Sequence, residues 1–164
     1  MIIHTILPSK ESVNNLLLLD VPTDMVTIPS WIQMKAKNEG YRAKNEYHIT
    51  VIGTDLSEQI TEQGLSNAVQ ELIAKTQWHV EFAHDYIELA KDDQVGIHRQ
   101  SIIQLAYVAE MDIFFDQLQA IAETPLSRPP EHVTLFTKNY DKGIGLYSNE
   151  DLKKYKIATL TVKD

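Results

Sequence analysis

Two histidines in this sequence each stand two residues before a threonine, inside a short run of apolar residues. The first copy is the segment 48–51 (His-Ile-Thr-Val) and the second is the segment 132–135 (His-Val-Thr-Leu). Both runs have the composition of a β-strand. Since side chains alternate across a strand, the histidine and the threonine of each copy should share one face, while Ile49 or Val133 points to the other.

Imidazole and hydroxyl groups in this arrangement suit acid–base chemistry on an anion. The ordinary pKa of histidine lies near neutrality, so His48 and His132 could each accept or donate a proton. Thr50 and Thr134 could donate hydrogen bonds to the anion. The two histidines lie 84 residues apart in a chain of 164, and the other four histidines lack the pattern. This spacing is expected of two similar lobes that each give one histidine to a shared cleft.

The two motifs resemble those of the two-histidine (2H) phosphoesterase superfamily, which includes the LigT-like RNA ligase and cyclic phosphodiesterase proteins. Those proteins carry two His-apolar-Thr/Ser-apolar motifs, one per lobe. The chain length, the motif spacing and the approach to the second motif, 128–131 (Arg-Pro-Pro-Glu), are similar as well. The resemblance implies an α+β, bilobal 2H phosphoesterase-like fold. Two pseudo-symmetric lobes of antiparallel strands with outer helices would flank a central cleft, in a single domain over 1–164.

The resemblance also implies a reaction, the metal-independent hydrolysis of a small nucleotide phosphodiester. One histidine would activate water and the other would protonate the departing oxygen, while the threonines bind phosphate. The expected catalytic residues are therefore His48, His132, Thr50 and Thr134, with no cofactor and no metal. The sequence does not assign the acid and the base individually.

Several functions remain open within and beyond this class. The substrate could be a 2′,3′-cyclic phosphate, a cyclic oligonucleotide, or an RNA end in a 2′-5′ RNA ligase-like activity. A non-catalytic nucleotide-binding module is an alternative, and so is an α+β interaction protein with coincidental motifs. The last alternative predicts that His48 and His132 lie far apart, whereas a phosphoesterase requires them to face one cleft.

Further candidates for substrate binding follow the second motif. Lys138 is an even number of residues from His132, so it should share the histidine's face if the strand extends that far. Tyr140 and Tyr147 could stack on a nucleobase. The segment 143–145 (Gly-Ile-Gly) could let backbone amides approach a phosphate, although it lacks the full dinucleotide-binding fingerprint. The alternatives are a charged strand end, aromatic packing and a turn.

The charge of the chain bears on its partners. The net charge is −8 at neutral pH, whereas a protein that grips a long nucleic acid usually presents a basic face. We therefore expect a small nucleotide and no long nucleic acid. A basic stretch does precede the first motif, and it is either a local patch or a solvated helix end. Its members are Lys35, Lys37, Arg42 and Lys44.

Composition favours a cytoplasmic protein. Cysteine is absent, which excludes disulfides and thiolate metal sites and is typical of a reducing compartment. The segment 1–8 lacks a signal-peptide pattern, and the apolar run 16–19 is too short to span a bilayer. We expect no membrane partner.

His79 and His84 should point to opposite faces of a strand, so no metal site is expected there. The sequence makes no prediction of oligomeric state.

Apolar periodicity predicts the elements that carry the motifs. Strands are expected at 16–21, 46–52, 101–108, 131–137 and 157–162, with one or two more over 78–89. A helix should follow Pro29, and a long helix capped by Ser57 should run to about Lys75. Another helix over 112–122 should bury Ile113, Phe114, Leu118 and Ile121. Ser148 or Asn149 is the expected N-cap of a short helix that runs through Lys154.

Overall fold

The structure is a computed structural model that describes residues 2–162, and it is α+β. Within that range the chain forms eight β-strands and five α-helices, with one 3₁₀ turn at Thr23–Met25. In chain order the strands and helices are β1 (His4–Pro8), β2 (Leu17–Val21), α1 (Ser30–Asn38), β3 (Arg42–Ala43), β4 (Tyr47–Ile52), α2 (Thr54–Glu62), α3 (Ser66–Lys75), β5 (Trp78–Asp92), β6 (His98–Val108), α4 (Met111–Ile121), β7 (His132–Lys138), α5 (Asn149–Tyr155) and β8 (Lys156–Leu160).

All strand pairs are antiparallel, and the strand order is β3-β7-β6-β5-β1-β2-β4, with β8 paired to β5 outside this path. The first motif lies on β4, at one edge of the sheet, and the second lies on β7, next to the other edge. Nevertheless β4 and β7 contact each other. The sheet therefore curls so that its two distant ends meet, which brings the motifs together.

The apolar residues of both motifs anchor their strands in one core. Ile49, Val51, Val133 and Leu135 are all fully buried and belong to the same hydrophobic cluster. Fully buried aliphatic side chains of this kind each contribute about 1.5–3 kcal/mol to the stability of the fold. The alternation predicted for the two strands is confirmed on this face, and the histidines and threonines lie on the other.

The long helix predicted from Ser57 to Lys75 is wrong. The chain instead forms α2 and α3, and α2 begins at Thr54, before the predicted cap. Gly64 lies between them with φ +68, a left-handed conformation that ends a helix and that glycine adopts without strain.

The predicted buried face of α4 is wrong in part. Phe114 and Leu118 are buried as expected, but Ile113 and Ile121 are 64% and 45% exposed. The buried positions are Met111, Phe114, Phe115 and Leu118, which follow the i, i+3, i+4, i+7 spacing of one helix face. Ile113 and Ile121 are apolar, but they lie outside the face of α4 that packs against the core.

A β-bulge interrupts β7 and changes which residues share a face. Thr134 pairs with Ile103 and Phe136 pairs with Ile102, so Leu135 has no partner on β6. Both Leu135 and Phe136 point into the main core, although they are consecutive. Such an extra residue reverses the alternation beyond it. Lys138 therefore does not share the face of the second motif, contrary to the parity argument.

The helices within residues 2–162 include none with the length and apolar character needed to cross a bilayer.

Candidate active site

A single cleft of about 460 Å³ contains all four motif residues. His48 and Thr50 enter it from β4, and His132 and Thr134 enter it from β7. This volume lies within the range of small-molecule sites. The other residues that line the cleft are Glu11, Leu16, Leu18, Lys44, Glu46, Gly53, Thr54, Leu56, Ser127, Pro129, Lys142, Gly143, Ile144, Gly145, Leu146 and Tyr147.

Neighbouring strands hold each motif at a defined register. On β2, Asp20 lies opposite His48 and Leu18 lies opposite Thr50. Directly opposed residues of antiparallel strands share a face, which explains why Leu18 also lines the cleft. On β6, Leu105 lies opposite His132. Each histidine therefore lies on a strand that is paired to a neighbour and that buries its opposite face in the core.

The ring of His132 is oriented by the backbone. Its Nδ1 lies 2.7 Å from the carbonyl oxygen of Pro130. A carbonyl only accepts hydrogen bonds, so Nδ1 carries a proton and the neutral ring presents the lone pair of Nε2. The segment before the second motif thus sets the tautomer of its histidine.

The environment of His132 favours the neutral imidazole. Burial lowers its pKa below the ordinary value of 6.5, and the hydrogen bond to Pro130 opposes part of this effect. The charge of His48 lowers the pKa of His132 further.

His48 is exposed and lies where the cleft meets a second hollow. That hollow has a volume of about 470 Å³ and shares Glu11, Glu46 and His48 with the cleft. Lys10 and Asn45 are among its other lining residues. The accessible space therefore extends past His48 into a region that His132 does not line.

The loop between β7 and α5 closes one wall of the cleft. A Cβ atom on Gly143 would lie 2.8 Å from Thr134 Oγ1 and 3.3 Å from Thr134 Cγ2. The absence of a side chain at this position therefore lets the loop backbone approach the threonine of the second motif.

Tyr147 lines the cleft and is 37% exposed. Its amide donates to Asp151 Oδ2 at 2.9 Å, and the amide of Asp151 donates to Ser148 Oγ at 3.2 Å. Ser148 is thus the N-cap of α5, one of the two residues predicted for this role. These bonds position Tyr147 at the end of the loop.

Lys138 and Tyr140 lie outside this cleft. Both line a separate hollow of about 430 Å³, together with Arg42 and Asp141. The Nζ atom of Lys138 lies 5.8 Å from the ring centroid of Tyr41. The structure therefore brings Tyr147 to the motif residues, but it places Lys138 and Tyr140 elsewhere. The bulge in β7 explains why Lys138 points away from the cleft.

Two lysines that were not among the predicted substrate-binding residues also line the cleft, Lys44 and Lys142. The Nζ atom of Lys44 donates to the carbonyl oxygen of Asp141 at 3.0 Å. Lys44 belongs to the basic stretch before the first motif, and that stretch could have indicated a cation near the site. Lys142 precedes the Gly-Ile-Gly segment, but its direction depends on a loop that periodicity does not describe.

No group of three or more histidine, aspartate or glutamate side chains that could hold a metal ion occurs in the described range, 2–162.

Comparison with known proteins gives no match to this chain. No protein-family model matches it. Neither a curated protein nor a solved structure does so.

Proposed function

We propose that this chain is a metal-independent phosphodiesterase that hydrolyses a small nucleotide phosphodiester with His48 and His132 as its acid–base pair. The observation that carries the proposal is the meeting of two motifs, 84 residues apart, in one cleft. Coincidental motifs would have no reason to converge, and the interaction-protein alternative predicts that they lie apart.

The architecture supports a bilobal 2H phosphoesterase-like arrangement. β4 on β2 forms one wall of the cleft, and β7 on β6 forms the other. Each wall presents one histidine and one threonine, and each is anchored by two fully buried apolar residues of its motif. We propose that these walls are the two lobes implied by the resemblance.

His132 is the proposed general base and His48 the proposed general acid. A base must be neutral, and His132 has a pKa lowered by burial and an available Nε2. In the step we propose, Nε2 takes a proton from water as the water oxygen bonds to phosphorus. The bond from phosphorus to the leaving oxygen breaks, and His48 gives that oxygen its proton. Exposure of His48 allows solvent to return the proton.

The remaining polar residues of the cleft bind phosphate in this proposal. Thr50 and Thr134 donate their hydroxyls to non-bridging oxygens, and Lys44 and Lys142 offset the negative charge. Catalysis gains from these contacts only if they strengthen in the transition state.

The shape of the cleft favours a substrate with a group on each side of the phosphate. The hollow beyond His48 adds about 470 Å³ to the space around the motif residues. A cyclic oligonucleotide uses both regions, whereas a 2′,3′-cyclic mononucleotide needs one. The net charge of −8 disfavours long RNA.

The pH profile tests the assignment of the base. Because His132 must be neutral to accept a proton, and because burial lowers its pKa, the acid limb of kcat/KM should be centred below pH 6.5. The measurement is the pH dependence of kcat/KM, which reports the free enzyme. An acid limb centred above pH 6.5 would contradict the role given to His132.

A hydrolysis screen with EDTA tests the activity and the substrate class. Wild-type protein would be given a 2′,3′-cyclic mononucleotide, cyclic di- and trinucleotides, and an RNA with a 2′,3′-cyclic end. We expect turnover in EDTA, with the highest kcat/KM for a cyclic oligonucleotide. Preference for the RNA end would favour RNA-end processing. Folded protein that binds these compounds without turnover would favour a nucleotide-binding module.

A further inference from the structure

Arg99, on β6, holds the loop that follows β7. Its Nη2 donates to the carbonyl oxygens of Lys142, at 3.2 Å, and Gly143, at 2.8 Å. Its guanidinium lies 4.1 Å from the ring centroid of Tyr140. Arg99 is not among the residues that line the cleft. It therefore binds the outer side of a loop whose inner side forms the cleft wall.

These two hydrogen bonds determine where the neighbouring amides point. The peptides are trans, and in a trans peptide the carbonyl and the following N–H point in opposite directions. With the carbonyls of Lys142 and Gly143 turned to Arg99, the N–H groups of Gly143 and Ile144 turn away from it. Successive amides that point the same way form an anion-binding concavity.

The two amides lie at the second motif. Gly143 and Ile144 line the cleft with Thr134, and the Cβ position of Gly143 is 2.8 Å from Thr134 Oγ1. Within residues 2–162, the hydrogen bonds of this loop include none donated by either amide. Backbone N–H groups in folded proteins nearly always have an acceptor, either within the protein or in solvent or a ligand. Two neighbouring donors without a partner in this loop are therefore available to a ligand in the cleft.

We propose that the amides of Gly143 and Ile144 form, with the Thr134 hydroxyl, an oxyanion site for a non-bridging phosphoryl oxygen. Arg99 is the positioning residue of that site. The proposal rests on the proposed function, because it assigns the donors that meet the developing charge. Donors held in place before the reaction need no reorganisation during it, which is what makes such sites effective.

Amide NMR tests the site without requiring turnover. Inorganic phosphate would be titrated into ¹⁵N-labelled wild-type protein. We expect saturable shifts of the Gly143 and Ile144 amide protons, and their loss in Arg99→Ala and reduction in Arg99→Lys. Wild-type amides that do not respond to phosphate would overturn the proposal. Shifts in a protein without hydrolytic activity would instead overturn the proposed function and leave the anion site standing.

Kinetics test whether Arg99 positions these donors. Arg99→Ala should lower kcat by about 10²-fold, the usual effect of losing an oxyanion donor, while KM changes much less. The matched control is Arg42→Ala, because Arg42 contacts the same loop through an exposed ion pair with Asp141. We expect the control to stay within about twofold of wild type. Unchanged kcat in Arg99→Ala, or an equal loss in the control, would overturn the role of Arg99.

Discussion

Replacing His48 or His132 by alanine is expected to lower kcat by about 10²–10⁴-fold, since we propose that each imidazole performs one proton transfer. Both rings line the same cleft, and the charge of His48 lowers the pKa of His132, so the two residues should act as a unit. The double variant should then be little slower than the slower single variant. The measurement is the steady-state rate of each variant in EDTA, on the substrate chosen by the screen.

A third histidine provides the matched control for these variants. His84 is exposed on β5 and lies outside the cleft, so His84→Ala should retain wild-type kcat. The pH profiles assign the roles further. His132→Ala should lose the acid limb of kcat/KM, whereas His48→Ala should retain it. Turnover within twofold of wild type in either motif variant would remove that histidine from the mechanism.

Replacing Thr134 or Thr50 by valine is expected to lower kcat by about 10²-fold. Valine keeps the shape of threonine and removes the hydroxyl, and it is well tolerated in a strand. The loss would therefore report the hydrogen bond to phosphate rather than the packing of β4 or β7. Measurement of kcat and KM for each variant separates transition-state binding from substrate binding.

Serine at the same positions is the control for the valine variants. Thr134→Ser and Thr50→Ser keep the hydroxyl and lose a methyl group, so kcat should remain within several-fold of wild type. A serine variant as slow as its valine counterpart would show that the methyl group, and so the packing, is what the reaction needs. Valine variants with wild-type kcat would contradict phosphate binding by these hydroxyls.

The sequence was sufficient to locate the motif strands because alternation is a local property. Ile49 and Val133 are buried as the pattern predicts, and the polar members of each motif lie on the opposite face. Burial of one face specifies the register of a strand strongly. Both strands, and the face of each that carries the histidine and the threonine, could therefore be placed from residue types and spacing alone.

Features that depend on distant contacts were not predictable in the same way. The bulge at Leu135 is visible only in the pairing of β7 with β6, and it redirects Lys138. The contact between β4 and β7 depends on how the whole sheet curls. Its apolar side chain led to the prediction that Ile113 lies on the buried face of α4. In the structure Ile113 is exposed, because other residues of α4 pack against the core.

The loop after β7 shows the same limit at the site itself. Glycine at position 143 was a recognisable signal for a close backbone approach, but its contact with Thr134 requires the folded loop. Nothing in the sequence indicated that Arg99 contacts this loop, because its partners are backbone carbonyls more than 40 residues away. Irregular segments are positioned by such individual contacts rather than by periodicity.

A structure of the protein with a nucleoside–vanadate complex, a mimic of the five-coordinate phosphorus of the transition state, would show whether both histidines contact the reacting group. We expect vanadium to lie between the imidazoles of His48 and His132, with Nε2 of His132 facing one apical oxygen. The hydroxyls of Thr50 and Thr134 should lie within hydrogen-bonding distance of equatorial oxygens. Vanadate bound elsewhere, or contacting one histidine only, would contradict the two-histidine mechanism.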